Sequence, residues 1–109
     1  MTLRSIAFAL LLTTGTHVCA AAAPTDARFA AASQAFAERR YAAAYGRFAA
    51  LADTGHAPSA HVALVMFEHG GALFGNAWYA SPDQQRRWNA LVLNDARRRA
   101  MMDAVRSSE

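Results

Sequence analysis

Three histidines and one glutamate are the side chains of this 109-residue sequence best suited to bind a metal or move a proton: His56, His61, His69 and Glu68. A zinc site built on helices needs ligands three or four residues apart on one face, as in His-Glu-x-x-His. His61 and His69 are eight residues apart, His56 falls at a helix entry, and the adjacent Glu68 and His69 point in different directions. Spacing does not make them converge, and a surface or capping role explains each more simply. The sequence has no G-x-S-x-G turn, no phosphate-cradling glycine loop and no clustered carboxylate pair. Its single cysteine, Cys19, lies in the N-terminal leader described below. No catalytic residue, metal ligand or cofactor site is assigned, and an enzyme is not expected.

Binding chemistry is better represented. Leu73, Phe74, Trp78 and Tyr79 lie within seven residues of one another. One reading folds them over the open end of a helix stack; the other makes them a binding lip, since Trp and Tyr dominate interface hot spots. Both are met if Phe74 and Trp78 point inward and Tyr79 outward. Arginines form the second group. Arg39, Arg40 and Arg47 surround a first hairpin, and Arg86 and Arg87 open a last helix. Their planar forks suit carboxylates, phosphates and aromatic faces. Glu38, Asp53, Asp83 and Asp95 are interleaved with them, so an ordinary solvated face is the competing reading. The candidate partner-binding set is Arg40, Arg47, Trp78, Tyr79, Arg86 and Arg87, for a protein or peptide partner. Arg97, Arg98 and Arg99 fall toward a helix C-terminus, where cations favour the dipole. Contact with anionic envelope lipids or a polyanion is open to them, and plain solvation is the simpler account.

The leader sets the address. Arg4 supplies a positive charge, Ile6 to Leu12 form an apolar run, and a small-residue stretch leads through Ala20–Ala22 to Pro24. A basic head, an apolar middle and an A-x-A-like exit describe a secretory signal peptide over residues 1–22. The apolar run is far shorter than the roughly 20 residues that span a bilayer. Residues 23–109 then form a single domain of 87 residues without a cysteine, held by helix packing alone. Its ten arginines and eight acids leave +2. The absence of lysine and the 28 alanines of the chain reflect a GC-rich bacterial genome, and no nucleic-acid partner is expected. The expected location is the periplasm or outside the cell, with no stable membrane insertion once the signal is cleaved. The alternative is a small envelope-associated structural protein held at the membrane by an uncleaved signal helix and the arginine-rich terminus.

The elements that must position these groups read as four helices, near 26–39, 41–54, 58–69 and 82–105, with no strand pattern. Phe29, Ala32, Ser33 and Phe36 recur at helical spacing. Tyr41, Ala44, Tyr45, Phe48, Leu51 and Ala52 share one face of the second helix, which stops at Gly55. The third starts at Pro58, is apolar nearly all round, and stops at Gly70-Gly71; it should sit in the middle of the domain. Ser81-Pro82-Asp83-Gln84 has capping-box spacing and announces the fourth. Trp88, Leu91, Val92, Asp95 and Met102 should share its packed side.

Tyr41, Ala44, Tyr45, Phe48, Leu51 and Ala52, then Gly55, His56 and Ala57, resemble the Sel-like repeat (SLR), a relative of the tetratricopeptide repeat. Ser59, Met66, Phe67 and Gly70 match the following helix, while Ala63-Leu64 stands where the family has Leu-Gly. The match covers about 30 residues. It implies an all-α fold of antiparallel helix hairpins: about one and a half repeats closed by a divergent helix, after an N-terminal signal helix. It also implies an adaptor that presents a concave helical face to a partner. The expected function is therefore protein–protein or peptide interaction in the bacterial envelope.

Overall fold

In a computed structural model of the protein, which describes residues 24–109, four helices follow one another: α1 (Thr25–Ala37), α2 (Tyr41–Asp53), α3 (Ala57–Leu73) and α4 (Pro82–Ser107). Among the described residues there is no strand, and the all-α class is as expected. The signal peptide expected over residues 1–22 lies outside the described residues.

Local chemistry sets the first two turns. After α1, Arg39 adopts a left-handed conformation at φ 61°. The Arg40 amide bonds the Ala35 carbonyl at 2.9 Å and the Arg39 amide bonds that of Phe36 at 3.0 Å. After α2, Gly55 takes φ 101°, and the His56 and Gly55 amides bond Leu51 and Ala52 in the same pattern. Both are Schellman closures, which satisfy the orphan carbonyls of a helix end. Gly55 adopts this backbone freely, whereas Arg39 carries a Cβ into a region disfavoured for side chains.

These tight turns make consecutive helices antiparallel neighbours. Phe29 meets Phe48 edge-on at 5.7 Å and Phe36 meets Tyr41 at 5.3 Å, pairing opposite ends of α1 and α2. Tyr41 at the start of α2 meets Phe74, just past the end of α3, at 4.9 Å. Small residues occupy the seams: Ala32, Ala35, Ala44, Ala52, Ala60 and Ala63 are buried. They let the backbones approach, while Phe48, Leu51, Met66 and Trp88 fill the remaining space. Burying one such large side chain stabilises the fold by about 1.5–3 kcal/mol.

Three expectations need correction. Helix α3 does not stop at Gly70-Gly71 but continues to Leu73. Gly70 is a contact residue: a methyl there would overlap the Asn76 carbonyl oxygen and come within 3.2 Å of the Trp78 ring. The turn itself falls at Gly75, at φ 72°. Helix α3 is packed on α2 and α4, yet Val65 and His61 are exposed, so it has one solvent edge. Finally, Trp88, Leu91, Val92 and Asp95 lie on the packed side of α4, but Met102 does not. The 26 residues of α4 span about 39 Å against about 26 Å for the 17 of α3. Beyond Asp95 the helix outruns its support.

Candidate interaction surface

The segment between α3 and α4 is fixed from below. Trp78 stacks on Tyr45 with ring centroids 5.3 Å apart and planes 20° from parallel. Phe74 packs on Phe36, Tyr41 and Trp78 at 5.7, 4.9 and 5.6 Å. The Asn76 amide donates to the Gly70 carbonyl at 3.1 Å. Next to these anchors, the Tyr45 hydroxyl donates to the Tyr79 carbonyl at 2.7 Å, and the Gln85 amide nitrogen donates to the Ala80 carbonyl at 3.0 Å. Burial, helped by the charge of Asp53, pushes the Tyr45 phenol above its ordinary pKa, so it remains a protonated donor. The Tyr79 backbone is thus held while its side chain stands 79% exposed. Phe74 and Trp78 are half-buried, matching the inward and outward directions expected for these three aromatics.

The arginines do not join Tyr79 in one cluster. Arg40 pairs with Glu38 at 2.9 Å beside the first turn. A hydrogen bond from Gln34, then the Arg40 charge, hold the Glu38 carboxyl below its usual range. Arg47 reaches the Ala31 carbonyl at 3.5 Å, on the α1 side of α2. Tyr45, two positions before it, faces Trp78 instead. Arg86 pairs with Asp83 on its own helix, and Arg87 lies 3.6 Å from Asp53. Arg47 lines a shallow groove of about 510 Å³ with Arg28, Ala31, Ala43 and Gly46. Arg40 borders a second, of about 500 Å³, with Tyr41, Phe74 and Asn76. Arg87 borders a third, of about 300 Å³, with Asp53, Gly55 and Leu91. The six sequence candidates therefore fall on the α1–α2 hairpin (Arg40, Arg47) and around the entry to α4 (Trp78, Tyr79, Arg86, Arg87).

Asp53 is the residue that sequence reasoning undervalued. Its carboxylate accepts from the buried Trp88 indole at 3.0 Å and from Gln84 at 3.1 Å, with Arg87 beyond. A carboxylate in the last turn of α2 opposes the helix dipole, and that misfit is the signal pointing to an external partner. Gln84 also completes the capping box expected from Ser81: Ser81 Oγ accepts from the Gln84 amide at 3.1 Å, and Gln84 Oε1 accepts from the Ser81 amide at 2.9 Å. One side chain thereby starts α4 and joins it to α2.

The three histidines have different settings. His56 precedes α3, where its Nδ1 lies 2.7 Å from the hydroxyl of the buried Ser59 and its ring meets Phe29 edge-on. His61 and His69 are exposed. Among the described residues, no three His, Cys, Asp or Glu side chains gather to hold a metal ion, and no helix is long and apolar enough to cross a membrane. Comparison with family models, curated proteins and solved structures gives no match.

Proposed function

We propose that this chain is an exported helical module of Sel-like-repeat type that holds a protein or peptide partner in the bacterial envelope. The observation that carries this reading is Tyr79, an aromatic side chain 79% exposed on a backbone held by the Tyr45 hydroxyl at 2.7 Å. A large aromatic on a rigid mount offers contact area with little ordering cost, the property that places Tyr among interface hot spots. Leu73, the last residue of α3, is a second exposed apolar side chain near the same segment in the chain, and Arg86 and Arg87 in the first turns of α4 pair with Asp83 and Asp53. The buried face of α2, the left-handed Gly55 and the antiparallel pairing of α2 with α3 support the repeat resemblance. Residues 1–22 would deliver the module across the inner membrane, leaving residues 23–109 to work beyond it.

A photo-crosslinking residue at position 79 tests the reading in living cells. A discrete adduct from position 79, weak or absent from the exposed position 68 on α3, is expected. Replacing Tyr79 with Ala should weaken binding of the captured partner tenfold or more. Identical adduct patterns from both positions would remove the assignment. The address has its own check, since the mature N-terminus should begin between residues 21 and 24, whereas an intact Met1 in the membrane fraction would favour the anchored alternative.

A further inference from the structure

Charge is unevenly spread along the described residues. Residues 24–95 carry six arginines and six carboxylates, whereas residues 96–109 carry Arg97, Arg98, Arg99 and Arg106 against Asp103 and Glu109. The side-chain excess of +2 therefore resides entirely in the last fourteen residues. Every one of these residues is exposed, and α4 continues through them as far as Ser107. Bare apolar side chains occupy the same stretch: Met101, Met102 and Val105 are between 61% and 70% exposed. At 3.6 residues per turn the three fall within an arc of about 100°, with Arg97 and Arg106 at its two borders and Arg98 inside it; Glu109 is the one carboxylate lining the same groove, against these three arginines.

We propose that this distal half of α4 docks in the plane of an anionic lipid surface. Charge complementarity selects the occupant. A helix that presents an apolar arc edged by arginines settles at the headgroup boundary, burying the arc while its cations meet lipid phosphates. Long guanidinium stems lie along the acyl surface and keep their charge at the interface, which accommodates Arg98 within the arc. A second copy of the chain would instead bring two arginine-edged arcs face to face. Three medium-sized apolar side chains make the docking reversible and salt-sensitive, distinct from insertion across the bilayer. About 28 Å of helix separates the start of α4, beside Tyr79, from Met101, so this site stands whether or not Tyr79 binds a partner.

The full chain with Cys19→Ser and Asn94→Cys, labelled with an environment-sensitive nitrobenzoxadiazole dye, reports immersion of the arc itself, since Asn94 is exposed and lines the same groove as Met101, Met102 and Val105. Vesicles of phosphatidylcholine containing one third phosphatidylglycerol should shift the emission to the blue. Raised salt should reverse the shift, and pure phosphatidylcholine should give none. Arg97→Gln, Arg98→Gln and Arg106→Gln together should raise the lipid concentration for half-maximal shift at least tenfold. Replacing Met101, Met102 and Val105 with Ser should abolish the shift although the charge remains, and Tyr79→Ala should leave it unchanged. These positions are exposed, so the variants should keep the helical spectrum of the parent. An absent shift overturns the proposal, as does an equal shift on neutral vesicles. A shift produced by polyglutamate and not by vesicles would assign the arm to an acidic protein, and one that grows with protein concentration alone would assign it to self-association.

Discussion

Helix α4 is one continuous helix with two unlike halves. In the proximal half, Trp88 is fully buried, its indole donates to Asp53, and Leu91, Val92 and Asp95 are partly covered. In the distal half, from Ala96 onward, every residue is exposed. Backbone hydrogen bonding is shared by both, so continuity of a helix does not report where the fold is held. Side-chain burial against α2 and α3 does. The lesson is that ordering and anchoring are separable, and a helix can serve the core with one end and present itself to a partner with the other.

Trp88→Ala should have the largest effect. It removes the biggest fully buried side chain and leaves Asp53 without its indole donor, so a loss of about 3–5 kcal/mol is expected in urea unfolding. A loss below about 1 kcal/mol would erase the contrast between the halves. Gly70→Ala should come next, at about 1–3 kcal/mol, because the new methyl meets the Asn76 carbonyl beneath the segment that delivers α4. Ser81→Ala opens the capping box and should cost about 1 kcal/mol.

At the junction of the halves, Asp95 offers a pH test. A hydrogen bond from Arg98, opposed in part by desolvation and aided by the charge of Arg99, holds its carboxyl below the usual range. A carboxyl depressed in the folded state stabilises it above the unfolded pKa, and that contribution disappears as pH falls through the folded one. Asp95→Asn should therefore flatten the acid limb of the stability profile and leave neutral pH less affected by salt. The smallest effect belongs to the distal half, where replacing Met101, Met102 and Val105 with Ser should move stability by no more than about 0.5 kcal/mol. A larger loss would mean that the arm is part of the fold.

Much of the architecture was legible because local chemistry and packing agree. The Tyr41-to-Ala52 stripe, the Gly55 stop and the Ser81–Gln84 cap each act within a few residues, and each stands where spacing placed it. A glycine that ends a helix and a glycine that admits another backbone look alike in sequence; only the position of Asn76 shows that Gly70 is the second kind. Periodicity places Met102 with Trp88 and Leu91 but cannot tell how long the neighbouring helix is. Asp53 looks like a surface acid in sequence because its partners lie more than thirty residues away on α4. Of the candidate surface, the directions of Phe74, Trp78 and Tyr79 are those that serve both readings of the segment, cover and lip. The grouping of the arginines is the one chain order gives, Arg40 and Arg47 at the first hairpin and Arg86 and Arg87 in α4; the pairing of Arg87 with Asp53 is not, since it joins two helices distant in sequence.

The chain has two tryptophans, and their settings differ in a way that spectroscopy can use. Trp88 is sealed against a carboxylate, while Trp78 is half-covered and stacked on a phenol ring. Dissolved iodide should quench the second emission before the first, dividing the intrinsic fluorescence into two reporters without any label. Loosening of the aromatic segment and opening of the helix stack would then be seen as separate events in one titration.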